Sequence, residues 1–244
     1  GKYSNLSSWM PIYNKADIIV SEPKKWTSVN KKTCAKFAST SNTWFQVPTT
    51  EIIPSTGSGQ WAVRLRNAAW SWHGVEPARD ARTDRHYYSS YAPTLANRSA
   101  GKLFLGSYSV DKSGLETYNE GIAFRSRPTA VSGIYTFVQD YHDTSETGLV
   151  VISLVNDEDG KEVEIGRGVG YLKPSTSFTR FNVPVVYSIR NKRATRLKLM
   201  VASSNHASYS IEEESRNIKT SDYLETAVST GAELTVDQLS LLYE

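Results

Sequence analysis

Between Asn119 and Phe137 the chain reads NEGIAFRSRPTAVSGIYTF. β-Branched and aromatic residues dominate this stretch, interrupted by an Arg127-Pro128 step and by Gly133. Proline fixes φ and removes a backbone donor, while glycine inside a strand marks a bulge or a close backbone approach. The stretch therefore reads as a strand, a forced bend and a second strand. Pro128 and Gly133 carry architecture; Arg127 has the reach for either a ligand or a structural ion pair.

Strand-like runs recur on both sides of it. Gln60–Asn67 alternates, with Trp61, Val63 and Leu65 on one face and Ala62, Arg64 and Arg66 on the other, after the turn signal Thr56–Gly59. Lys102–Val110, Gly121–Arg125, Val131–Val138, Leu149–Val155, Phe178–Ile189, Arg196–Ala202 and Leu234–Tyr243 follow the same pattern. The sequence NDEDG, Asn156–Gly160, predicts a hairpin between Leu149–Val155 and Glu162–Gly166, with Gly160 at positive φ. Convincing helix is scarce: Ser210–Thr226 and Arg79–Tyr91 are ambiguous. Many short strands joined by Gly, Pro and Asn turns predict an all-β, two-sheet antiparallel jelly-roll β-sandwich.

One unit over residues 1–244 is expected, strands of the first hundred residues completing the sandwich, because Gln60–Asn67 needs strand partners that those residues scarcely supply. The alternative is a split near Ala100. Ser71–Gly101 is the longest break in the strand pattern, and a long insertion in a compact sandwich is usually functional or mobile.

Composition narrows function by exclusion. The formal charge is +3 with 22% charged residues. Basic residues are scattered apart from Lys24-Lys25 and Lys31-Lys32, which argues against a nucleic-acid partner. Cys34 is alone, so neither an intrachain disulfide nor a thiolate zinc site can form. His73, His86, His142 and His206 show no short metal-ligand spacing, and no Gly-x-Ser-x-Gly elbow occurs. No apolar run reaches membrane-spanning length and no export signal is visible, although Gly1 is consistent with a processed start.

Aromatics are the outlier, with 6 Trp and 14 Tyr against 7 Phe. Tyr and Trp offer an apolar face and a polar edge, suited to half-wet binding surfaces, although strands favour aromatics too. The densest group is Trp70, Trp72, His73, Tyr87, Tyr88 and Tyr91, interleaved with Arg79, Asp80, Arg82, Asp84 and Arg85. Flat rings stack on the C–H faces of sugars, and such polar groups hold hydroxyls. The same rings can equally pack back onto the sheet.

Glycoside hydrolysis would need two facing carboxylates. Glu76, Asp80, Asp84, Glu116, Glu120 and Asp140 are candidates, and local spacing singles out no pair. Catalytic residues stay unassigned. Asp157-Glu158-Asp159-Gly160 and Asp237 offer hard oxygen ligands for a structural calcium, or simply turn and loop hydrogen bonds. No other cofactor is implied.

Four blocks occur in order: Asn119–Phe137; LVVISL with EIGRG (Leu149–Leu154, Glu164–Gly168); FTRFNVPVVY (Phe178–Tyr187); and LMVASS (Leu199–Ser204) with STGAELTVDQLSLLYE (Ser229–Glu244). Together they resemble the carbohydrate metabolism domain (PCMD) of Bacteroidetes cell-envelope proteins, over a core at 101–244. The first hundred residues, with GQWAVRL at Gly59–Leu65, look like the opening of a galactose-binding-like jelly roll. The resemblance implies a jelly roll, export to the periplasm or outer-membrane surface, anchoring at most through a removed N-terminal lipoprotein signal, and glycan handling. The chain departs from the pattern at Ser7 and Ser8 and at Glu212–Glu214.

The expectation is a monomeric module binding an oligo- or polysaccharide through Trp70, Trp72, His73, Arg79, Asp84, Tyr87, Tyr88, Tyr91 and Arg127. A two-carboxylate glycoside hydrolase and a structural or adhesive envelope module remain the alternatives.

Overall fold

A computed structural model describes residues 22–33, 48–55, 61–71, 78–80, 85–87, 95–111, 115–139, 144–157, 160–207 and 228–243. In chain order these hold β1 (Trp26–Thr27), the single turn α1 (Asn30–Thr33), β2 (Thr50–Pro54), β3 (Trp61–Ser71), β4 (Ala78–Asp80), β5 (Arg85–Tyr87), β6 (Leu95–Ser99), β7 (Lys102–Val110) and β8 (Glu116–Glu120). Then come β9 (Ile122–Ala123), β10 (Ala130–Val138), β11 (Gly148–Asn156), β12 (Val163–Leu172), β13 (Ser175–Pro184), β14 (Val186–Tyr187), β15 (Arg196–Ala202) and β16 (Val228–Leu242).

The larger sheet runs β1-β7-β15-β11-β12-β14, with β8 on β7 and β9 on β15; the smaller runs β13-β10-β16-β3-β2, with β6 on β3. All recorded pairings are antiparallel, and β4 pairs with β5 separately. One apolar core joins the two sheets. Leu65, Val131, Phe137 and Leu234 enter it from the smaller sheet, and Leu105, Val150, Ile152, Leu199 and Val201 from the larger. The chain is thus the all-β, two-sheet antiparallel sandwich of jelly-roll type that its strand pattern predicts.

Local deviations have physical causes. The run expected as one strand over 178–189 is two. β13 pairs with β10 in one sheet and β14 with β12 in the other, so the chain crosses between sheets at Val185, whose N–H donates to Thr129 O at 2.8 Å. The expected strand 121–125 shrinks to β9. The Asn156–Gly160 turn has Gly160 at φ 71°, as its hairpin requires. Gly133 stands opposite Phe181, and a Cβ there would meet that ring at 2.8 Å, so the close approach is real.

The arms of the hairpin are longer than the sequence suggests, because β12 runs on through GRGVGY to Leu172. Gly168 and Gly170 face the sandwich interior, where a Cβ would run into Pro184 and Val183 of β13. The alternate residues Arg167, Val169 and Tyr171 therefore face outward. β13 can press against β12 here because Gly168 and Gly170 leave that stretch of the inner face without side chains.

Candidate functional site

Three neighbouring strands present one outward face. Register aligns Tyr171, Leu149 and Ala202 across β12, β11 and β15; Val169, Val151 and Met200 in the next row; and Arg167, Ser153 and Lys198 in the third. Alternation along each strand puts the intervening Val150, Ile152, Leu199 and Val201 into the core. The outer rows floor an open groove of about 510 Å³, within the range of ligand sites. Leu149, Met200 and Val151 make its floor apolar, packed together with Phe104 and Tyr108 of the neighbouring strand β7.

Aromatic rings flank this floor on both sides. Tyr171, 62% exposed, rises from β12, and Tyr118, 41% exposed, from β8. Asn205 lies at the Tyr171 end of the floor, just past β15, and its Oδ1 accepts the Thr147 N–H at 3.1 Å.

Charged side chains occupy the other end. Lys198 Nζ donates to Glu162 Oε1 at 2.5 Å and lies 3.0 Å from Glu120 Oε2. Arg196 Nη2 reaches the other oxygen of Glu162 at 2.5 Å and Asp157 Oδ2 at 3.4 Å. Glu164 Oε2 accepts from Ser153 Oγ at 2.6 Å and from Arg167 Nη1 at 3.0 Å. Burial works against the Lys198 ammonium, but the hydrogen bonds and charges of Glu162 and Glu120 outweigh it, so its pKa lies above the ordinary lysine value. The result is a set of donors and acceptors held in place before any ligand arrives.

Of the ligand-binding residues singled out by sequence, Arg127 is the one whose side chain is among those described. Trp72, His73, Asp84, Tyr88 and Tyr91 lie outside the described residues, as do Glu76, Arg82 and Asp140. Trp70, Arg79 and Tyr87 are described in backbone alone: Trp70 pairs with Val228 and Ala96, Arg79 with His86, and Tyr87 with Ala78. The ambiguous segment 79–91 thus contains strand.

Arg127 is tied to architecture. Its guanidinium donates to the carbonyls of Lys192 (2.7 Å), Ile189 (3.1 Å) and Arg190 (3.4 Å), and it lies 4.0 Å over the Tyr187 ring. The Tyr187 hydroxyl donates back to Pro128 O at 2.9 Å, so the Arg-Pro step is locked at a corner of the sandwich.

Of the two candidate carboxylates whose side chains are described, Glu116 and Glu120, it is Glu120 that lines the groove. Glu116 accepts from the Tyr108 hydroxyl at 2.7 Å and pairs with Lys32 at 3.1 Å; burial, with that carboxylate beside it, pushes the phenol pKa up. Asp237 is buried and accepts from Ser55 Oγ at 2.5 Å and from the Gln238 N–H at 2.7 Å. Among the described residues no group of three or more His, Cys, Asp or Glu side chains is gathered as a metal site.

Sequence reasoning missed Tyr118, Glu162, Glu164, Arg167, Tyr171 and Lys198. A signal for three of them was present: in EIGRGVGY the glycines alternate with Arg167, Val169 and Tyr171, the pattern of a strand flush on one face and displayed on the other. The aromatic loop drew attention instead.

No known family model matches the chain, and no curated protein matches it. Among solved structures it is similar to a carbohydrate-binding module, CBM28, described as specific for non-crystalline cellulose. Identity is 8%, coverage is 91% of this chain and 89% of that one, and the TM-score is 0.36. A likeness this slight decides neither ligand nor site.

Proposed function

We propose that this chain is a carbohydrate-binding module and that the glycan lies in the groove on the outer face of the larger sheet. One observation carries the reading: two partly exposed tyrosines flank an apolar floor onto which fixed carboxylates, an ammonium and a guanidinium converge. Rings stack against the C–H faces of a sugar, and the charged groups exchange hydrogen bonds with its hydroxyls. A purely apolar groove would suit a lipid, and a purely charged one an ion; a sugar needs both.

Binding is preferred to hydrolysis on the same geometry. Glycoside hydrolysis asks one carboxyl to give a proton to the leaving group and another to act opposite it. Here Glu120 and Glu162 share Lys198, and Glu164 is engaged by Arg167 and Ser153. These carboxylates are arranged to accept hydrogen bonds. The resemblance to the PCMD family supports placing the module on an exported envelope protein.

The test is binding of the purified chain to a panel of neutral and acidic polysaccharides, by affinity electrophoresis and calorimetry. Saturable binding is expected, with no release of reducing sugar. Tyr171→Ala and Tyr118→Ala should each weaken it about ten-fold at unchanged thermal stability, the scale of one lost stacking contact. Wild-type affinity in both variants would remove the groove as the site. Loss on Trp70→Ala or Trp72→Ala instead would move the site to the aromatic loop.

A further inference from the structure

We infer that the groove is two-ended and takes a neutral glycan chain of more than one sugar unit, lying along β11, with orientation set at the charged end and length read at the Tyr171 end. The inference rests on the groove being the glycan site and adds what kind of glycan it selects.

The argument comes from register. Along β11 the outward residues are Leu149, Val151 and Ser153, and each begins a different row of the groove. Leu149 stands beside Tyr171, with Asn205 lining the same end, and Ser153 stands between Arg167 and Lys198. Four residues of extended strand separate these ends by about 13 Å. A single pyranose ring cannot touch both. Between them exposed Val169, half-buried Val151 and buried Met200 form an apolar row that offers no hydrogen bond from a side chain. A ligand engaging both ends must cross that row, which a linear chain of sugars does, because each ring turns a C–H face to the floor and its hydroxyls to the sides.

Charge limits the ligand further. Each cation in the groove already has a carboxylate: Arg167 has Glu164, and Lys198 has Glu162 and Glu120. Among the described residues that line the groove no positive charge is left over to hold a uronate or sulfate, and the acids outnumber the cations. An anionic chain would meet repulsion, whereas hydroxyls can both donate to the carboxylates and accept from the ammonium and guanidinium. The charged groups are confined to the Ser153 end, so a short ligand sits there, beside Tyr118 and Glu120. Tyr171 is reached only by a longer one.

Calorimetric titration of the intact chain with cello-, xylo-, manno- and malto-oligosaccharides of two to six units reads this directly. In the series whose polymer binds, affinity should rise about ten-fold once the ligand is long enough to reach Tyr171, then level off. Tyr171→Ala should cancel that rise while leaving disaccharide affinity within about two-fold. Lys198→Met should lower short and long ligands by the same factor. Polygalacturonate and alginate should not bind. Equal affinity for the shortest and longest ligands, an equal loss for both on Tyr171→Ala, or tight uronate binding would overturn the inference and leave the binding function standing. Absence of binding to every polysaccharide would overturn both.

Discussion

Two clusters of the same chemistry sit on opposite outer faces of the sandwich. On the larger sheet Lys198 is held by Glu120 and Glu162. On the smaller sheet Arg66 is held by Glu51, which also takes Arg64 at 2.7 Å, with Glu233 at 4.0 Å from Arg66. Yet the two cations are moved in opposite directions. The Lys198 pKa is raised, whereas burial pulls Arg66 down from the ordinary arginine value to about 10 against the pull of Glu51.

The difference is solvent. The Arg66 and Glu51 side chains are 5% and 8% exposed, so desolvation dominates; Lys198 is 16% exposed, and its two carboxylates, Glu120 at 23% and Glu162 at 44%, together outweigh its burial. A buried ion pair serves the fold and is costly to break, while an open one adds little stability and keeps its hydrogen-bonding capacity for a ligand. Residue type is the same at both places, and accessibility decides the role.

The sharpest way to break this comparison is Glu51→Gln. It removes the nearer of the two carboxylates from the buried Arg66 guanidinium, and should cost about 3 kcal/mol in denaturant unfolding. A loss near zero would show that the two clusters are equivalent. Gly168→Ala tests the bare inner face of β12 that supports the groove. The added methyl has a backbone carbonyl against it rather than a mobile side-chain tip, so about 1–3 kcal/mol of destabilisation is expected, with weaker glycan binding as β12 shifts.

Lys198→Met should cost less than about 1 kcal/mol of stability, since the pair is partly solvated, while glycan affinity falls clearly. The smallest effect is in pH. A raised lysine pKa means the folded state holds its proton more tightly. The stabilisation from Lys198 is therefore complete below the ordinary value of 10.5 and is lost as pH climbs through the raised folded value. Unfolding of Lys198→Met measured from pH 9 upward should show a shallower alkaline decline than wild type; an identical decline would mean the ammonium is not coupled to its carboxylates.

Much of the scaffold could be read in the chain. β7 and β15 occupy the runs 102–110 and 196–202, because alternating apolar residues with a turn at each end leave little choice of register. Pro128 and Gly133 act as their chemistry requires, one ahead of β10 and one beneath the Phe181 ring. The break at Val185 could not be read, since nothing local says which sheet a strand will join.

The groove was harder to read for the same reason. Its charged end joins Glu120 on β8, Glu162 and Arg167 around β12, and Lys198 on β15, positions far apart in sequence that neighbour one another only through strand order. Local spacing singles out no pair among Glu76, Asp80, Asp84, Glu116, Glu120 and Asp140, because the partners that matter to Glu120 come from other strands.

What the sequence determined by itself is the set of faces: which residues of each strand point together, where turns fall, and where a backbone may come close, because the two-residue period of a strand is local. What the tertiary structure alone decided is which faces meet. Strand order placed Tyr118 and Tyr171 on two sides of one floor, and burial closed one ion-pair cluster off from water and left the other partly solvated. Both depend on long-range pairing and on solvent exclusion, which no local pattern of residues encodes.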